Sequence, residues 1–222
     1  MSYILNIDTS AETSSICLSL NGKPIALACN ENRNGQTSWL HPAIENMLTE
    51  QQLVLKDLQA IAVAIGPGSY TGLRVGLSAA KGFCYALNIP LITISTLKML
   101  AYAVQEEAAE LICPLIDARR MEVFSCLYGK TLSEEKKPAA FIIDENTFTE
   151  ILHSHKVLFC GTGSKKLQAL INHDNASFSN NTANASHLGV LSYACLLNKE
   201  FADVAYTEPL YIKEFYSPNR KD

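Results

Sequence analysis

At 222 residues, with 48% hydrophobic residues, the chain can bury one large core or two small ones, and a formal charge of −4 argues against a protein that grips RNA on its own. Charged residues make up only 18%, below the usual share, which points to apolar surface covered by a partner. Seven cysteines show no C-x-x-C and no zinc spacing, so they read as buried, reduced thiols. No basic segment precedes an apolar run at Met1-Ser2-Tyr3-Ile4, and no apolar stretch reaches transmembrane length, so a cytoplasmic protein without membrane contact is expected.

Residues 3–8 form a short apolar run ending in an acid, and 14–20 are β-branched and apolar. Asn21-Gly22 is a two-residue hairpin signal that predicts a returning strand over 24–29. Residues 38–52 have helical period: Leu40, Ile44, Met47 and Leu48 share a face that Trp39 and Ala43 widen. Thr37 or Ser38 is the expected N-cap, with Pro42 in the first turn. The unbroken apolar run 61–65 reads as a fully buried strand. A glycine-rich loop over 66–72 then leads into a helix over 73–87, a buried strand over 91–94, and a third helix capped by Ser95 or Thr96.

The pattern repeats in looser form. Strands are expected over 111–116, ending in Asp117, and over 121–128, 139–143 and 156–160, with 129–138 a polar turn region. Helices are expected over 146–153, 164–171 and 186–199, with 172–185 a polar loop and a mixed tail from Phe201. Each half opens with a strand ending in an aspartate and runs βββαβα, the layout of an α/β sheet with helices packed on it. The expected division is a first lobe over 1–104 and a smaller second lobe over 105–222, the tail either returning to the first lobe or not.

The sharpest local feature is Gly66-Pro-Gly-Ser-Tyr-Thr-Gly-Leu-Arg-Val-Gly76, which follows a buried strand and opens a helix. Helix N-termini bind anions, and Gly68, Ser69 and Thr71 could contribute to such a site. The run has neither a Walker A ending nor a dinucleotide fingerprint, and a tight turn explains the glycines equally well. Asp8-Thr9-Ser10 and Asp117-Ala118-Arg119-Arg120 could hold a hydrated Mg²⁺ or a phosphate, or simply cap local backbone. Gly161-Thr162-Gly163 could approach a nucleotide backbone. The histidines lack a second well-spaced ligand, so no metal site is expected, and no nucleophile–base constellation is legible. The helix after Thr71 is apolar on more than one face, so it should be buried on more than one face, by its own chain or by another.

The run 66–76 followed by Ala80-Lys81-Gly82 closely resembles the TsaB (YeaZ) family of tRNA threonylcarbamoyladenosine biosynthesis proteins. Ile7-Asp8-Thr9-Ser10, and Asp117-Ala118-Arg119 with Glu122-Val123-Phe124, carry the same resemblance, and Gly161-Thr162-Gly163 and Pro209-Leu210-Tyr211-Ile212-Lys213 fit it more loosely. The resemblance implies an α/β, actin/hexokinase/Hsp70-like (ribonuclease H-like) duplicated two-lobe fold. It implies a non-catalytic scaffold subunit that binds and activates the transferase TsaD and helps recruit the ATPase TsaE, with tRNA met only through the complex and a homodimer when alone. It decides for an interface on the two helices, placed at Trp39, Leu40, Ile44, Met47, Leu73, Arg74, Leu77, Ser78, Ala80, Lys81 and Cys84. A charge at Leu77 is expected to break pairing and leave the fold intact.

TsaD-like enzymes carry a histidine pair on the first helix for a metal. Here Gln36 stands about where the first would be, leaving His41 alone. The two phosphate-gripping loops of the fold are normally glycine-rich, whereas Asp8-Thr-Ser-Ala-Glu-Thr and Asp117-Ala-Arg-Arg-Met contain no glycine. No nucleotide is therefore expected to bind this chain strongly alone, and ATP or ADP with Mg is left to a joint complex. Asp8, Thr9, Ser10, Gly68, Ser69, Thr71, Asp117, Gly161 and Gly163 are the vestigial contacts such a site would have. The alternatives are an ATP-dependent small-molecule kinase of the same fold, a peptidase-like protein, and a plain homodimeric binding module.

Overall fold

The structure, a computed structural model, describes residues 1–30 and 35–213. The end of the tail, 214–222, lies outside the described residues, as does the side chain of Gln36.

Two five-stranded sheets have the same design. The first is ordered β3-β2-β1-β4-β5, built from β1 (Tyr3–Asp8), β2 (Ser14–Leu20), β3 (Lys23–Asn30), β4 (Leu58–Ala64) and β5 (Leu91–Ile94). The second is ordered β10-β9-β6-β7-β8, from β6 (Leu111–Asp117), β7 (Glu122–Gly129), β8 (Glu134–Ile142), β9 (Val157–Cys160) and β10 (Ala176–Phe178). In each, the central strand pairs antiparallel with the next strand, which turns back into a third. On its other edge the central strand pairs parallel with the fourth, which carries the fifth.

The apolar runs are continuous because the first sheet is covered on both faces. On one face Leu5 and Ile7 of β1 meet α1 (Gln36–Glu50) and α2 (Tyr70–Leu87). On the other, Ile4 joins Met99 of α3 (Thr96–Ala103) and Leu188 of α6 (Ala185–Asn198). Another face of α3 turns Leu97 and Ala101 toward Ile112, Cys126 and Leu158 of the second sheet, so both sheets share this helix. The far face of the second sheet is covered by α4 (Thr149–Ser154) and α5 (Ser164–Gln168) around a cluster holding Phe159 and Leu167.

Three expectations are corrected here. The helix expected over 38–52 begins two residues earlier with Gly35 as N-cap, so neither Thr37 nor Ser38 caps it and Pro42 stands in the second turn. Strand β8 starts inside the expected polar turn, because it is an edge strand whose first residues, Glu134 to Lys137, face water and carry charge. Strand β10 lies inside the expected loop and is only three residues long.

The division at 104/105 also fails for the end of the chain. Helix α6 packs on the first sheet, where Ser192 Oγ donates to Asn6 Oδ1 at 2.7 Å and the Ala185 amide donates to Ser15 Oγ at 2.9 Å. Gly189 permits that approach: a Cβ there would stand 3.1 Å from Ser19 Cβ. Beyond α6, Ala202 bridges to Leu91, and the Leu210 amide donates to the Ile65 carbonyl at 2.8 Å. The chain therefore leaves the first sheet after β5, builds the second, and returns.

Candidate docking groove and the closed strand ends

The glycine-rich loop and α2 are built against the end of β1. Ser69 caps α2, its Oγ accepting from the Gly72 amide at 3.3 Å. The Ser69 amide donates to the Ser10 carbonyl at 2.7 Å, and a Cβ on Gly68 would stand 2.3 Å from that same oxygen. Thr9 Oγ1 donates to the Gly72 carbonyl at 2.7 Å. The glycines thus serve close approach of two backbone segments. Thr71 is exposed at the start of the helix.

Asp8, Thr9 and Ser10 are all buried. Asp8 Oδ1 accepts from the Ser10 amide at 2.9 Å and from Ser10 Oγ at 2.6 Å. Burial pushes the Asp8 carboxyl above its ordinary range, against the opposing pull of the two Ser10 bonds and the charge of His187. The second half is built in parallel. The Asp117 amide donates to Thr162 Oγ1 at 3.0 Å, and Asp117 Oδ1 accepts from the Arg119 amide at 2.6 Å and from Lys166 Nζ at 2.5 Å. Burial alone would raise this carboxyl too, but Lys166 and the Arg119 amide outweigh it and hold it below the usual range. Gly161 and Gly163 press against β6 and β7: a Cβ on Gly161 would stand 2.6 Å from the Leu115 carbonyl oxygen, and one on Gly163 2.8 Å from Val123 Cγ1.

Helix α2 carries two apolar stripes, and the structure separates them. Leu73, Leu77, Ala80 and Cys84 point into the core with Leu40, Ile44 and Met47 of α1, each no more than 4% exposed. These seven residues, expected at a partner interface, are corrected to the chain's own core, and a charge at Leu77 would strike the fold itself. The open stripe is Val75, Ala79, Gly82, Phe83 and Ala86, which with Thr37, His41 and Leu55 lines a groove of about 740 Å³ between α1 and α2. Arg74 and Ser78 lie on its edge. The His41 and Phe83 rings meet across it, tilted 54° to each other with centroids 5.5 Å apart. Sequence reasoning missed this stripe because it has the same helical spacing as the buried one. Its excess of small residues was the signal that could have marked it.

Trp39 lies on a second, smaller groove between β3 and α1, beside Leu27, Ala43 and Met47. Lys81 faces neither groove: its Nζ donates to the carbonyls of Ala205 and Thr207 at 3.0 and 3.1 Å, strapping the returning tail across α2. Arg74 Nε donates to Tyr211 Oη at 3.0 Å, farther along the same strap. Among the described residues no group of three His, Cys, Asp or Glu is placed to hold a metal, and no helix is long and apolar enough to cross a membrane.

Two sheets of one strand order, each with an aspartate ending its central strand, make this an actin/hexokinase/Hsp70-like protein of duplicated two-lobe fold. The chain belongs to the family described as TsaD, tRNA N6-adenosine threonylcarbamoyltransferase, whose model matches residues 34–207, and to its TsaB (YeaZ) members. It is 38% identical over 125 residues to the Bacillus subtilis tRNA threonylcarbamoyladenosine biosynthesis protein TsaB, a match covering 56% of this chain and 54% of that one. The chain spans about half the length of the named relatives it matches first. The structure of YeaZ from Pseudomonas aeruginosa superposes with a TM-score of 0.83 at 25% identity, covering 95% of this chain and all of that one. An inorganic polyphosphate/ATP-glucomannokinase from Arthrobacter, at 9% identity and a TM-score of 0.52 over 88% of this chain and 100% of that one, shares the fold.

That fold implies a magnesium nucleotide between the lobes, and the first strand end, at Asp8, does not fit one. A hydrated Mg²⁺ needs accessible, ionised carboxylate oxygens. Asp8 is 2% exposed and has Oδ1 committed to Ser10. The segments 8–13 and 117–121 at the two strand ends contain no glycine.

Proposed function

We propose that this chain is a non-catalytic subunit of the machinery that makes threonylcarbamoyladenosine in tRNA, docking a TsaD-type transferase through the groove between α1 and α2. The observation that carries this reading is the open stripe of α2, which leaves Val75, Ala79 and Phe83 only partly buried by the chain itself. Small residues at Ala79, Gly82 and Ala86 let a second helix come close. A stable interface of this kind buries about 1,200–2,000 Å² in total.

The engaged carboxylates of Asp8 and Asp117 support an accessory role. Both are hydrogen-bonded within the chain, and in this reading the transfer chemistry falls to the partner. The transferase subunit is then the direct contact, a TsaE-type ATPase joins the pair, the same groove pairs two copies when the partner is absent, and tRNA is met only through the assembly.

Reconstitution tests this. TsaD, TsaE, threonylcarbamoyl-adenylate and tRNA are combined with and without this chain, and modified adenosine is measured. Modification should depend on this chain and should be lost with Ala79→Glu, which puts a charge in the groove. Equal modification in its absence would remove the proposal. Calorimetry with ATP and Mg²⁺ on the isolated chain tests the kinase alternative, for which binding would have to appear.

A further inference from the structure

Arg74 stands at the edge of the α1–α2 groove in an unusual mounting. Its guanidinium carbon lies 4.0 Å from the centroid of the Tyr70 ring and 6.0 Å from that of Tyr211, and the two rings are 5.5 Å apart. Its Nε donates to Tyr211 Oη at 3.0 Å. Stacking and hydrogen bonds to Tyr211 and Tyr70 hold the plane of the guanidinium, whose planar fork has the shape that takes a carboxylate in two parallel bonds. Among the described residues no carboxylate pairs with it.

The chain as a whole carries a charge of −4, yet among the described residues the groove is lined by a cation and a histidine and by no acid. A second copy docked on the same patch would bring the same arginine and histidine. It would add repulsion and supply no counter-charge from that patch. A different protein with an acid beside its apolar ridge is the better complement.

We infer that Arg74 is the specificity-determining cation of this groove, held in place by Tyr70 and Tyr211 to pair with a carboxylate of the transferase-type partner. The inference rests on the docking reading above and adds to it the charge that distinguishes that partner from a second copy. Tyr211 is a positioning residue. It arrives on the returning strap, whose Leu210 amide is bonded to Ile65 and whose Lys213 pairs with Glu122 of the second sheet. The orientation of Arg74 is thereby tied to the way the strap spans both sheets.

The test is titration of the full chain and its variants with the transferase subunit at low and high salt, with circular dichroism confirming the fold of each variant. Arg74→Ala should weaken pairing about tenfold or more and flatten its salt dependence, as loss of a charge-assisted bond requires. Tyr211→Phe keeps the ring but removes the Nε acceptor; it should weaken pairing by less and retain the salt dependence. Self-association of Arg74→Ala should be unchanged or tighter. Ala79→Glu serves as the groove control. If Ala79→Glu abolishes pairing while Arg74→Ala binds as tightly as the unaltered chain with the same salt dependence, the assignment of Arg74 is overturned and the groove stands. If Ala79→Glu also binds normally, the docking reading itself has failed.

Discussion

Thr9 Oγ1 donates to the carbonyl of Gly72 at 2.7 Å, and Gly76, one turn farther along α2, lies so close that a Cβ on it would stand 2.2 Å from the same hydroxyl oxygen. This contact sets how near the helix bearing the groove comes to the central strand of the first sheet. It also separates two glycines of one helix. Gly76→Ala forces a buried hydroxyl to move, at a cost of about 1–3 kcal/mol. The gain in helix propensity of at most about 1 kcal/mol only partly offsets that. Thermal unfolding should show a lower midpoint.

Gly82 behaves in the opposite way. A Cβ there meets no atom within 4 Å, so Gly82→Ala should raise stability by about 0.5–1 kcal/mol. Gly82→Trp should leave the fold intact and block pairing, because the ring fills the space meant for the partner helix. Denaturant melts with a pull-down against the transferase subunit would separate the two effects.

Leu77 and Ala79 sit two residues apart on different faces of α2. Leu77→Ala opens a hole between helix and sheet and should cost about 2–5 kcal/mol, and Leu77→Glu, which buries an unpaired charge, should leave little folded protein. Loss of pairing by a Leu77 variant is therefore evidence about the core. Ala79→Glu should keep the unaltered circular dichroism spectrum.

The two strand-end aspartates should titrate with opposite sign. Burial raises the Asp8 pKa in the folded state, so this group favours folding at low pH and loses that contribution as pH climbs from the ordinary value of 3.8 through the raised one. Asp8→Asn keeps an oxygen to accept both Ser10 bonds and removes the charge. Its advantage in melting temperature over the unaltered chain should grow as pH rises above that value. Asp117 has a lowered pKa, so its contribution is present above the ordinary value and lost as pH falls through the lowered one. Asp117→Asn should lose stability near neutral pH, by little, because the Lys166 pair is partly exposed.

One ammonium group ties the middle of the strap to α2. Lys81→Met keeps the aliphatic stem and removes both bonds to the Ala205 and Thr207 carbonyls. Hydrogen exchange across 202–210 should rise severalfold while exchange in β1 and β4 is unchanged, since those strands lie under the core. Equal protection of the strap would show that the Leu91–Ala202 bridge and the Leu210 bond hold it alone.

Much of this was legible in the sequence because it is encoded locally. The hairpin at Asn21-Gly22, the continuous apolar run of β4 and the strand-ending aspartates are written in adjacent residues, and so is the βββαβα order that defines the two-lobe class. The family could be told from the block between Gly66 and Gly82, in which Gly68 lies against the Ser10 carbonyl and Gly76 against the Thr9 hydroxyl. Tertiary structure alone decided which stripe of α2 is buried. Leu73–Leu77–Cys84 and Val75–Ala79–Phe83 are both apolar at helical spacing, and only the position of the sheet selects between them. It also decided that α6 and the strap return to the first sheet, and that Arg74 and Lys81 meet residues more than a hundred positions away. Periodicity reports that a face must be covered, but it carries no address for what covers it, and such contacts exist only once the chain has closed on itself.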